Sequence, residues 1–225
     1  EFAEQYVVSK TPIREGLLDL ISEGLVTYDG KSYIISKYTP KDVKELYTIR
    51  RALEIVAIER TVSLIREEEL EELRKLCEED EIKMREKNDK DYIISLDIKF
   101  HERIARCSKN KLIWLILNKL KVQHAFIRKW LFNPDWIETN EPYTLNEHKN
   151  IVEAIAAGDR ERAKELMLEH LFNAEKRTLS WFDKHPSDNG DNHTSLKTKS
   201  MLAVTSLSDQ VADTIKEQIL NIELK

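Results

Sequence analysis

The chain has 225 residues, with only five Gly and five Pro, 41% apolar residues and 34% charged ones. That balance favours long solvated helices around a sizeable core and excludes both a sheet-rich fold and a disordered chain. The formal net charge of −5 excludes indiscriminate nucleic-acid binding, so any such contact must come from a local patch. Two cysteines, Cys77 and Cys107, form no CxxC pair, so a disulfide framework is not expected and a reducing cytoplasm fits. The longest apolar run, Leu112 to Leu117, is too short for a bilayer, and the residues after Glu1 lack a signal-peptide pattern. No membrane partner is expected.

Phe2, Ala3 and Tyr6 suit a short helix, and Ser9 can cap a second one carrying Ile13, Leu17, Leu18 and Ile21 on one face. Pro12 falls in its first turn, where the missing N–H does no harm, and Gly24 ends it. Leu25 to Tyr28, a turn at Asp29-Gly30, and Tyr33 to Ile35 read as a β-hairpin. Residues 1–38 are thus expected to form a winged helix-turn-helix.

Thr39-Pro40-Lys41-Asp42 is a strong helix start, with an N-cap, Pro at N1 and an acid in the first turn. The periodicity predicts helices near 40–65, 67–87, 90–107, 109–132, 144–157 and 159–183. Thr144-Leu145-Asn146-Glu147 reads as a capping box, and Gly158-Asp159 separates the last two helices. Residues 39–184 are therefore expected to be an all-helical antiparallel bundle, making the chain mainly α. Residues 185–205 read as a linker or tail. Residues 206–225 read as one more helix, with Val211, Ile215, Ile219 and Leu220 on its apolar side.

Four residues stand out within the bundle. Asp97 and His101, at i and i+4, stack on one helix face beside Ile93, Leu96, Phe100 and Ile104. His148 shares the face of Ile151 and Ile155, and His170 lies in the stripe Ala163, Leu166, Met167, Leu171 and Ala174. A lone His on an apolar face is more often a hydrogen-bonded core residue. Three such faces plus a carboxylate favour a divalent metal: Zn²⁺ above all, with Ni²⁺, Co²⁺ or Mn²⁺ equally compatible in ligand type. A metal with open positions could instead activate water, as in a hydrolase of small acids or esters. Glu102 and Glu147 adjoin ligands in sequence but point elsewhere on their helices, and no HExxH, nucleophile elbow or phosphate loop occurs. An enzyme is not expected. Arg50 offers a planar fork matched to a carboxylate, although Glu54, four residues on, is an obvious ion-pair partner.

Two sets of motifs then carry a resemblance. The first is Val8-Ser9-Lys10-Thr11-Pro12-Ile13-Arg14-Glu15-Gly16-Leu17, followed by Glu23-Gly24-Leu25-Val26. The second is Arg50-x-x-Leu53-Glu54, Asp97-x-x-x-His101 with Asn110 following, Glu147-His148, and Glu169-His170-Leu171. In these the chain resembles the GntR family of transcription regulators, in the FadR-like branch with an FCD effector domain. The resemblance implies a bacterial, cytoplasmic, ligand-responsive repressor that binds a palindromic operator as a homodimer. It implies that a small organic acid meets the metal through its carboxylate, with Arg50 and Asn110 as effector contacts, although Asn110 equally well caps the following helix. It also implies DNA contacts from Ser9, Lys10, Thr11 and Arg14 on the recognition helix and from Gly30 on the wing. The family commonly has Arg where Lys10 stands, and Lys lacks the same fork. Gly16 replaces the usual Ala at a local cost of roughly 1 kcal/mol. The family's first helix resembles Leu207 to Leu224, so the segment order is expected to be rotated, with Met201 where an initiator methionine would stand.

Overall fold

The computed structural model describes residues 10–86, 90–130 and 134–184. The expected helix at Phe2 to Tyr6, the Ser9 cap, the linker and the helix at 206–225 lie outside these residues. The described residues fall into two compact units, residues 10–38 and residues 39–184.

In the first unit, helix α1 (Lys10–Ser22) stops because Gly24 takes a φ of 77°. The Gly24 N–H then donates to the Ile21 carbonyl at 3.0 Å and the Leu25 N–H to the Leu20 carbonyl at 2.9 Å, closing the helix end. Strands β1 (Val26–Tyr28) and β2 (Tyr33–Ile35) pair antiparallel, with Val26 opposite Ile35 and Tyr28 opposite Tyr33. Their loop turns on Asp29, whose carboxylate accepts from the N–H groups of Lys31 (2.8 Å) and Ser32 (2.7 Å), while Gly30 supplies a φ of 93°. Leu20, Leu25 and Val26 form its buried centre, and Tyr38 donates its hydroxyl to the Gly24 carbonyl at 3.0 Å. The predicted hairpin forms where expected.

The second unit is built from α2 (Pro40–Leu64), α3 (Glu67–Glu86), α4 (Lys90–Cys107), α5 (Lys111–Trp130), α6 (Pro134–Ala156) and α7 (Arg160–Lys184). Thr39 caps α2 in a full capping box with Asp42, and Pro40 sits at N1, as the sequence predicts. Short connections reverse the chain between helices. Lys109, at φ 54°, closes α4, and Gly158, at φ 68°, closes α6. Asp159 then caps α7 by accepting from the Arg162 N–H at 3.0 Å.

One expected boundary is wrong. The helix predicted from residue 144 begins at Pro134, so Thr144 is buried inside α6 rather than capping it. Its T-x-x-E pattern mimics a capping box, but Glu147 bonds to α7 instead of to its own helix.

Helix α2 lies along α7, α6 packs on α7 and α3, and α4 packs on α5, α3 and α2. Between them Ile58, Leu73, Phe100, Ile104, Ile151, Met167 and Leu171 are almost wholly buried. Each such side chain contributes roughly 1.5–3 kcal/mol on leaving water. This core surrounds the polar cluster described below.

Candidate metal centre

Asp97 and His101 come from α4, His148 from α6 and His170 from α7, and all four are buried. One ligand atom from each lies within 4.8 Å of the others. The Nε2 atoms of His101 and His170 face each other at 3.1 Å. Asp97 Oδ1 lies 3.5 Å from His148 Nε2 and 3.9 Å from His101 Nε2. His148 stacks on Phe100, with centroids 3.9 Å apart and planes inclined by 16°.

Around these four lies a ring of paired charges. Glu54 accepts from Arg50 Nε at 2.7 Å through one oxygen and meets His101 Nδ1 at 2.5 Å through the other. Glu147 meets His170 Nδ1 at 2.8 Å, accepts from Arg177 at 2.9 and 3.1 Å, and accepts from Asn173 at 2.8 Å. Asp97 Oδ2 pairs with Arg128 at 2.5 Å. Burial would raise each carboxyl, but the neighbouring cations and hydrogen bonds win. Glu54 falls to about 2 through Arg50 and His101, and Glu147 to about 2 through His170 and Arg177. Asp97 is held well below the usual carboxylate range against its burial, chiefly by Arg128. Burial lowers His170 and lowers His148 well below the ordinary imidazole value, so both rings are kept neutral.

These protonation states make the centre fit a cation. Ionised Glu54 and Glu147 face the Nδ1 atoms of His101 and His170, and the Nε2 atoms of the two rings are turned to each other at 3.1 Å, where two lone pairs would meet. A proton could relieve that one contact. It would leave His148 Nε2, which is buried without a hydrogen-bond partner, and the facing Asp97 oxygen unserved. A single divalent ion answers all four, and neutral imidazoles with a carboxylate are ligands that zinc and its neighbours accept.

The other expected site residues separate. Arg50 is buried, pairs with Glu54 as its spacing suggests, and donates to His124 Nε2 at 2.9 Å. Asn110 takes the capping role: its side-chain oxygen accepts from the N–H groups of Leu112 (3.1 Å) and Ile113 (3.2 Å) at the start of α5. Thr11 and Arg14 are exposed on α1, Gly30 is exposed at the hairpin loop, and Ser9 lies outside the described residues. His124, Arg128, Arg177, Tyr47 and Thr178 also stand at the centre and are not among the expected site residues. The i, i+4 spacing of His124 and Arg128 was the available signal. The others act across helices and leave no local pattern.

Two small cavities adjoin the centre. One, of about 10 Å³, is lined by Tyr47, Arg50, Asp97, Arg128, Arg177 and Thr178 among others. The second, of about 30 Å³, is lined by Ile98, Ala105, Trp114, Leu117 and Asn118 among others, and shares Arg50, His101 and His124 with the first.

Among the described residues no helix is long and apolar enough to cross a membrane. The FCD domain family matches residues 45–173. The chain is 34% identical over 173 residues to the HTH-type transcriptional regulator YdhC of Bacillus subtilis, covering 76% of this chain and 75% of that one. It is 30% identical over 161 residues to the gluconate operon transcriptional repressor of the same species, covering 70% and 65%. The solved structure of Escherichia coli McbR/YncC has the same fold, at a TM-score of 0.67 and 22% identity, over 82% of this chain and 85% of that one. These relatives are regulators and repressors, which supports a DNA-binding regulator, points away from an enzyme and gives the hydrolase alternative no support. The chain belongs to the GntR family of transcription regulators that carry an FCD domain.

Proposed function

We propose that this regulator senses a small carboxylate at a divalent metal held by Asp97, His101, His148 and His170. The observation that carries the reading is the convergence of four buried, electron-rich ligand atoms, one of them the orphaned His148 Nε2. When bound, the ion supplies positive charge and open coordination positions to an anion. The charge balance favours the same class of ligand. Asp97, Glu54 and Glu147 match Arg128, Arg50 and Arg177, so a divalent ion leaves the region net positive. The carboxylate of an organic acid offsets part of that charge, and Arg50, on the wall of both cavities, is the second clamp. That one relative represses a gluconate operon agrees with a small hydroxy acid as effector.

The cavities of about 30 and 10 Å³ have room for water but not for an organic acid. Entry of an effector therefore requires the lining side chains of α2, α5 and α7 to repack. That requirement gives the ligand different affinities for two packings of residues 39–184, which is what a switch needs. Residues 1–38 with 206–225 form the DNA-binding unit in this reading, with Ser9, Lys10, Thr11, Arg14 and Gly30 at the operator. A homodimer matches a palindrome, and acid binding releases it.

Elemental analysis and an operator-shift assay on the same preparations test the reading. The unaltered chain should carry one divalent ion, zinc foremost, and His148→Ala with His170→Ala should carry none after dialysis. Arg14→Ala should lose specific operator retention and keep the metal. Metal retained by the double histidine variant rules out these ligands.

A further inference from the structure

The two carboxylates beside the ligand imidazoles have no assigned task, and each has more partners than an ion pair requires. Glu54 divides its oxygens between Arg50 on its own helix and His101 on α4. Glu147 is gripped by Arg177 through two hydrogen bonds and by Asn173, and still reaches His170. The result is two Arg–Glu–His chains, one from α2 to α4 and one across α6 and α7, ending at Nε2 atoms 3.1 Å apart. Both arginines line the cavity beside the ligands. His148 contrasts with the other two, since its ring is set by stacking on Phe100.

We propose that Glu54 and Glu147 are positioning residues for the ion. Each accepts the Nδ1 proton of a ligand imidazole and so turns that ring's Nε2 lone pair to the shared point. The inference rests on the metal reading above. An imidazole has two tautomers and can flip about its ring axis; a fixed acceptor at Nδ1 removes both freedoms and raises the basicity of Nε2. Arg50 and Arg177 serve the same end one step out, by holding the carboxylates in place. Were the acids only counter-ions for these arginines, the imidazoles would carry no preferred tautomer.

Cobalt(II) titration against a competing chelator tests the proposal, read through the d–d absorption bands of the bound ion. Glu147→Gln and Glu54→Gln should each weaken cobalt binding about 10–100-fold and shift those bands. Affinity within about twofold of the unaltered chain, with unchanged bands, overturns the proposal. Glu54→Gln leaves the buried Arg50 without its ion-pair partner and can unfold the chain, so a second measurement uses the unaltered protein. Nitrogen-15 spectra of histidine-labelled, metal-free protein should show a protonated Nδ1 at both His101 and His170, and a ring with a bare Nδ1 at either overturns the proposal. If the unaltered chain takes up no cobalt, the metal reading itself has failed. Uptake by the unaltered chain with indifferent variants sinks only the role of Glu54 and Glu147.

Discussion

His148 exposes the tension in this core at the scale of one residue. Its Nε2 is buried with no hydrogen-bond partner, and its ring is packed flat on Phe100. An unserved buried polar atom costs about 1–3 kcal/mol, and that cost disappears if the ring is replaced by an apolar group of like size. The metal-free His148→Leu protein should therefore melt no lower than the metal-free parent, and can gain about 1 kcal/mol. Adding zinc should raise the parent's melting temperature and leave the variant's unchanged. Equal zinc-induced shifts in both would remove His148 from the ligand set. Asp97, His101, His148 and His170 were legible in the sequence because each lies on an apolar helical stripe. Glu54 was legible only as the partner of Arg50, since i, i+4 spacing reports contacts within a helix. Glu147 was dismissed on the ground that a ligand's sequence neighbour points away, and it does point away from its own helix core, toward His170 on α7.

At the scale of elements, the helix connections are tied by charged side chains that the core does not explain. Glu69, near the start of α3, reaches Lys109 in the α4–α5 turn at 2.5 Å and also holds the Arg66 backbone and side chain at 3.2 Å. Thr61 and Arg60 of α2 bond to the carbonyls of Ile104 and Ser108 in the same corner. Burial alone would raise the Glu69 carboxyl, yet hydrogen bonds from Arg66 and Lys109 lower it from 4.5 to about 2. A depressed carboxyl stabilises the fold above its unfolded value, and that contribution is lost as pH falls through the folded one. Glu69→Gln should lower stability at pH 7 and flatten the loss of stability between pH 4.5 and about 2. Urea melts across that range measure both effects, and parallel pH curves for parent and variant would deny Glu69 this part. The helices themselves were mostly legible, because caps at Thr39 and Asp159 and stops at Gly24 and Gly158 are local chemistry. The start of α6 was not. A capping-box pattern inside a helix is indistinguishable from a true one until the partner of its Glu is known.

At the scale of the whole molecule, the sequence motifs resolved what the charge could not. A net charge of −5 gave no hint of DNA, and the family came from the ordered motifs spread over both units. The ligand-binding side is where physical linkage makes a demand. If ion and acid meet in one site, each must change the affinity of the other by the same factor. Size would sharpen the demand, since an acid would have to repack Arg50, His124 and their neighbours around cavities of about 30 and 10 Å³. That repacking would cost free energy, which a bound acid would recover through the ion and the guanidinium groups. Zinc-loaded protein should therefore bind the best of a panel of small carboxylates, gluconate included, about 5–150-fold more tightly than chelator-treated protein. The same acid should slow zinc loss to a chelator and, at equilibrium, raise zinc affinity by that same factor. Calorimetry of each ligand with and without the other closes the cycle. An acid that binds equally well to both forms would lie outside the metal centre, and the carboxylate sensor would have to be sought elsewhere in the bundle.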